Sequence, residues 1–120
     1  MLFEPNPDIE AYVLAQKGAD KSFPFGEGGA VYKVKNKMFA LMGRIGINVK
    51  CDPDEAIIYR QMFDAVTPAC HMNKEHCNSV ALDGDAPEGL IHKMIDDSYA
   101  LVVAKLPKKD RARLLGGFKR

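Results

Sequence analysis

Ala30-Val31-Tyr32-Lys33-Val34-Lys35-Asn36-Lys37-Met38-Phe39-Ala40-Leu41-Met42-Gly43-Arg44-Ile45-Gly46-Ile47-Asn48-Val49-Lys50-Cys51 is the stretch whose reading decides the fold. Ala30, Tyr32 and Val34 alternate with Val31, Lys33 and Lys35, a period of two that marks a strand. Asn36-Lys37 predicts a turn, followed by a second strand over Met38 to Gly43. A third strand, Ile45 to Cys51, sets Ile45, Ile47, Val49 and Cys51 on one face and Gly46, Asn48 and Lys50 on the other. The expectation is an antiparallel meander with one apolar and one solvated face.

Helix signals flank this meander on both sides. Asn6 with Pro7 predicts a capped start, and Ile9, Tyr12, Val13 and Gln16 share one helical face ending near Gly18. Asp52-Pro53-Asp54-Glu55 predicts a second helix to about Asp64, burying Tyr59, Met62, Phe63 and Val66. Asp85 and Glu88 predict a capping box for a long last helix, with Leu90, Ile91, Met94, Ile95, Leu101 and Val102 on its buried stripe and Pro107 ending or kinking it. Between them, Thr67 to Met72 and His76 to Leu82 read as strands joined near Asn73-Lys74, and Ser22 to Phe25 as a short strand before the glycines. Strands and helices segregated in this way give the α+β class: one domain over residues 1–120, an antiparallel sheet with helices packed on one face, and a basic tail after about residue 113.

The chain has 120 residues, 47% of them hydrophobic, enough for one buried core and too few for two. Apolar runs such as Tyr99 to Ala104 are far shorter than a membrane span, and the start Met1-Leu2-Phe3-Glu4-Pro5 lacks a secretory pattern, so no membrane association is expected. Three cysteines without a framework spacing suit the reducing cytoplasm. The net charge of +1 conceals alternating blocks. Residues 30–51 carry five basic and no acidic groups, and residues 105–120 carry seven basic and one acidic. The segments 1–29, 52–64 and 65–104 are each net acidic.

Cys70-His71-Met72-Asn73-Lys74-Glu75-His76-Cys77 has the ligand types of a zinc site. With Asn73-Lys74 as the turn, Cys70 faces Cys77 and His71 faces His76, and neighbours on a strand point to opposite sides, so four ligands cannot meet at one ion. No metal and no cofactor are expected. Gly26-Glu27-Gly28-Gly29 precedes a strand instead of a helix, which argues for a turn over a phosphate-cradling loop. Helix starts account for Asp52, Asp54, Glu55, Asp85 and Glu88, and no nucleophile, base and oxyanion set can be assembled, so no enzyme is expected. The basic residues carry more information: Lys33, Lys35, Lys37, Arg44 and Lys50 fall on or beside one sheet face, with Lys105, Lys108 and Lys109 leading the second block. Exposed-edge protection and contact with an anionic partner both explain them.

Several segments together carry a resemblance: Phe23-Pro24-Phe25-Gly26, Lys37-Met38-Phe39-Ala40-Leu41, Lys50-Cys51-Asp52-Pro53, Thr67-Pro68 with His71-Met72-Asn73-Lys74 and His76, Leu82-Asp83-Gly84, and Ser98-Tyr99 through Leu101-Val102-Val103-Ala104-Lys105-Leu106-Pro107-Lys108-Lys109. These resemble the MmcQ/YjbR family of small bacterial proteins over almost the whole chain to about residue 113. The resemblance implies a YjbR-like or CyaY-like α+β domain, similar to a double-wing DNA-binding domain of a phage transcription factor, with no catalytic residues. Cys77 stands where family members usually have an aromatic residue. Two readings stay open. In one, a monomeric module binds double-stranded DNA through its phosphates, using the lysines above, Arg44 and the hairpin residues His71, Asn73, Lys74 and His76. In the other, a non-enzymatic adaptor binds a protein partner or a small ligand. Meeting of the two basic blocks on one surface favours the first, and an apolar pocket lined by Tyr32, Phe39 or His71 favours the second.

Overall fold

The period-two stretch folds as expected into the centre of a six-stranded sheet. The structure, a computed structural model, describes residues 6–22, 29–43, 46–68 and 77–116. Its strands are β1 (Ala19–Ser22), β2 (Ala30–Val34), β3 (Lys37–Met42), β4 (Gly46–Lys50), β5 (Val66–Pro68) and β6 (Cys77–Ala81). They pair antiparallel throughout in the order β1-β2-β3-β4-β6-β5. Four helices accompany them among the described residues: α1 (Pro7–Leu14), α2 (Pro53–Met62), α3 (Glu88–Ala104) and α4 (Lys108–Gly116). Ile9 and Val13 of α1, Ile91, Met94, Ile95, Val102 and Val103 of α3 and Leu114 of α4 meet Tyr32, Val34, Met42, Ile47, Val49 and Val80 of the sheet in one core. The α+β class with helices on one face is therefore the observed architecture.

Local chemistry explains the element ends. Asn6 Oδ1 accepts from the Asp8 and Ile9 N–H groups at 3.0 and 3.1 Å, and Asp52 Oδ2 accepts from Asp54 and Glu55 at 3.1 and 3.3 Å, so both predicted caps form. The capping box at Asp85 does not. Helix α3 starts after Pro87 with no side-chain cap, and Asp85 instead accepts from the Asp64 and Ala65 N–H groups, tying the end of α2 to the turn after β6. The first hairpin turns at Lys35-Asn36, one residue earlier than expected, because both residues adopt positive φ (50° and 66°) and close a two-residue loop between paired Val34 and Lys37. Strand β1, Ala19–Ser22, shares only Ser22 with the short strand expected over Ser22 to Phe25; the rest of that stretch, Phe23-Pro24-Phe25, lies with Gly26 and Gly28 outside the described residues.

Three further expectations change. The sheet face away from the helices is not wholly solvated: Val31, Leu41, Asn48 and Cys77 on it are buried, and Asn48 donates to the Leu41 carbonyl at 3.4 Å while its Oδ1 is buried without a partner. On α2, Met62 is 60% exposed with Ile57 and Ile58 beside it, and only Ala56 is buried. Tyr59 packs partly buried against the core, and polar contacts add to this hold, since fully buried Asn78 donates to the Ala56 carbonyl and accepts from Arg60 Nε at 2.7 Å. Finally, the β5–β6 ladder pairs Val66 with Val80, Thr67 with Ser79 and Pro68 with Asn78, one residue off the register that set Cys70 opposite Cys77. Burial of Val66 and Val80 in the same core fixes it, whereas the mirror-like cysteine and histidine spacing does not.

One irregularity shapes the sheet. Between the pairs Tyr32–Ala40 and Lys33–Met38, Phe39 faces no residue of β2, which is a β-bulge. The bulge turns Phe39 into the core, edge-to-face with Tyr99 at 5.5 Å between ring centres. Ser98 of α3 repairs the backbone there: its Oγ donates to the Phe39 carbonyl at 2.5 Å and accepts from the Lys50 N–H at 2.9 Å. At the other end of β4, Gly46 lies so close to β6 that a Cβ would stand 2.0 Å from the Val80 carbonyl oxygen, so the approach of these strands requires glycine.

Candidate binding cleft

Four element ends meet at one place: the start of β3, the end of β4, the N-terminus of α2 and the C-terminus of α3. They enclose a cleft of about 420 Å³. Lys37, Lys50 and Lys105 line it, one from each of three elements, and Met38, Pro53, Leu101 and Val102 supply its apolar surface. Cys51 and Asp52 complete the described lining. The two basic blocks of the sequence, remote along the chain, are thus brought together.

The charges of the cleft can be assigned one by one. Lys37 and Lys105 are exposed and Lys50 is half-buried. Asp52 uses Oδ2 to cap α2. Burial first, and then the nearby carboxylates of Glu55 and Asp52, push the Cys51 thiol up to about 11, so it stays protonated and adds no charge near neutral pH. Three lysines against one carboxylate leave the lining cationic. Ser98 holds this geometry from below, because the backbone it bridges belongs to Phe39, next to Met38, and to Lys50 itself. Among the described residues, no group of three His, Cys, Asp or Glu side chains is placed to hold a metal ion.

The remaining sequence candidates divide into three groups. Lys35 sits in the β2–β3 turn, and Lys108 and Lys109 open α4, all exposed and outside the cleft lining. Lys33 is half-buried, and β1, whose position was not foreseen, sets Asp20 directly across from it, so the face that is free of acids along the chain is not free of them in space. Arg44, His71, Asn73, Lys74 and His76 lie outside the described residues, as does Cys70. Within the second block, Arg111 donates to the Ala104 carbonyl and so completes the end of α3. The basic segment expected as a tail after residue 113 enters α4, whose Leu114 is buried against Gly18.

Sequence reasoning missed Met38, Leu101 and Val102 as cleft residues and assigned Asp52 and Pro53 to capping alone. A signal was present: three of the segments that carry the resemblance, Lys37-Met38, Lys50-Cys51-Asp52-Pro53 and Leu101 to Lys105, are the ones that converge here. Tyr32 and Phe39, considered as pocket walls, are both fully buried in the core, with the Tyr32 hydroxyl donating to Glu10 at 2.6 Å. His92 stacks on Tyr12 at 3.9 Å, as a helix-packing histidine. Among the described residues no helix is long and apolar enough to cross a membrane.

Comparison with known proteins gives a consistent picture. The model of the YjbR family matches residues 14–101. YjbR of Escherichia coli is 32% identical over 112 residues, covering 90% of this chain and 95% of that one. The Escherichia coli protein YbdF is 35% identical over 99 residues, covering 79% and 81%. The crystal structure of the Deinococcus radiodurans protein DR2400, with its DUF419 domain, superposes with a TM-score of 0.84 at 30% identity, covering 90% of this chain and 86% of that one. A Pseudomonas syringae protein does so with 0.72 at 25% identity, covering 82% and 98%.

Proposed function

This chain belongs to the YjbR family, and we propose that it is a non-enzymatic module that binds double-stranded DNA through phosphates held by Lys37, Lys50 and Lys105. The convergence of the two basic blocks on one cleft carries this reading, because a chain of net charge +1 has no overall field to attract a polyanion and must rely on a local cluster. Lys35, Lys108 and Lys109, close along the chain to Lys37 and Lys105, are exposed and add positive charge outside the cleft lining. Lysines position a duplex without reading its bases, so the binding is sequence-tolerant and salt-sensitive.

Each phosphate neutralised releases counterions, and three contacts give a slope of log affinity against log salt of about −2.7. Fluorescence anisotropy with a labelled duplex, titrated from low to physiological salt, measures it. Lys37→Ala, Lys50→Ala and Lys105→Ala should each weaken binding to every sequence alike and flatten the slope by about 0.9. Absence of binding at low salt, or a folded triple variant that binds as the parent does, rejects the proposal.

A further inference from the structure

A phosphate backbone is bound by cations and hydrogen-bond donors, yet this cleft also has an apolar side. Its volume of about 420 Å³ is far more than one phosphate group requires and within the range of small-molecule sites. The three lysines come from three different element ends, and Met38, Leu101 and Val102 line the same cleft, Val102 as a member of the core. Such a site satisfies a ligand with two unlike ends, one multiply charged and oxygen-rich, the other flat and apolar.

We infer that the cleft receives one nucleoside 5′-phosphate unit, its phosphate between Lys37, Lys50 and Lys105 and its base against Met38, Leu101 and Val102. The inference rests on the reading of those three lysines as phosphate contacts and adds the base-binding surface. Charge supports the placement. Asp52, the single carboxylate of the described lining, is already engaged by two backbone N–H groups at the start of α2. The neutral thiol of Cys51 offers the base a polarisable, uncharged wall. Nothing has to move to form the floor, since Val102 is packed in the core and Leu101 is half-buried beside it. The unit has two sources of the same chemistry, a free mononucleotide or an unpaired nucleotide of a DNA strand.

Isothermal titration of the full chain with deoxyadenosine 5′-monophosphate, deoxyadenosine and inorganic phosphate separates the two ends of the ligand. The mononucleotide should bind at least about tenfold more tightly than either half, which corresponds to about 1.4 kcal/mol from joining them. Lys105→Ala should weaken the mononucleotide and phosphate together by about tenfold. Leu101→Gln should weaken the mononucleotide alone, and its circular dichroism spectrum and melting curve establish that it is folded. A five-residue deoxyadenosine oligonucleotide assigns the source: tighter binding with a steeper salt slope than the mononucleotide means a strand, and equal binding means the free nucleotide. Phosphate binding as tightly as the mononucleotide, or Leu101→Gln leaving the mononucleotide unaffected in a folded protein, overturns the inference. Duplex binding that depends on the lysines, with no mononucleotide binding, overturns it too and leaves the DNA reading standing. Mononucleotide binding without duplex binding has the opposite meaning.

Discussion

Ser98→Ala removes a single oxygen and should be among the most damaging small changes this chain can carry. The hydroxyl is fully buried, donates to the Phe39 carbonyl at 2.5 Å and accepts from the Lys50 N–H at 2.9 Å. Alanine leaves both backbone groups without that partner. An orphaned buried polar group costs about 1–3 kcal/mol. The Phe39 carbonyl sits at the bulge within a fully buried residue and meets the full cost, whereas Lys50 is half-buried and water recovers part of its share. The expected loss is therefore about 2–4 kcal/mol, a large fraction of the stability of an ordinary domain, with a fall in melting temperature on the order of 10 °C. Urea unfolding at neutral pH measures it, and the slope with denaturant should not change, since the same surface is exposed on unfolding. Amide exchange at Lys50, whose N–H donates to Ser98, should accelerate more than exchange at the neighbouring Val49. A loss under about 0.5 kcal/mol, or unchanged exchange at Lys50, would refute the bridge between α3 and the two strands.

Two further outcomes follow from geometry outside the cleft. Lys35 at φ 50° and Asn36 at φ 66° occupy a turn that favours Asn followed by Gly, so Lys35→Asn combined with Asn36→Gly should stabilise the fold by about 1 kcal/mol in thermal melting, and a lower melting temperature would count against this turn. The N–H groups of Ala65 and Asp64 hold the Asp85 carboxyl below the ordinary aspartate range. A group depressed on folding stabilises above its unfolded pKa of about 3.9, and that contribution is lost as pH falls through the folded value. Asp85→Asn should accordingly be less stable than the parent at pH 7 and approach it near pH 3 in paired urea titrations; a constant gap contradicts the assignment.

The sequence announced the meander, both side-chain caps and the helical face of the sheet because each rests on neighbours within a few residues: Asn6 with Pro7, Asp52 with Pro53, and the alternation from Ala30. What it concealed depends on partners distant along the chain. Asp85 has the spacing of a capping box with Glu88 but finds the Asp64 and Ala65 N–H groups, which only folding brings near. Ser98 reads as one polar residue in an apolar helical stripe, and nothing local shows that a bulge opposite needs it. The lysines were legible as candidates, but their selection was not. Cross-strand Asp20 sets Lys33 apart, the helix end occupies Arg111, and among the described residues Lys37, Lys50 and Lys105 share the cleft.

The strand order has a consequence for how the protein is made. Strands β1 to β4 follow one another in sequence and in space, so their loops close early and at small entropic cost. Strand β6 lies between β4 and the outer β5, close against Gly46, and Lys105 follows α3 near the end of the chain. Lys37 and Lys50 are in place after the first half of the chain, but the third lysine and the apolar wall arrive with the last. The cleft thus needs both halves of the chain, and a nascent or truncated chain that stops before α3 carries Lys37 and Lys50 without Lys105, Leu101 or Val102 to close it.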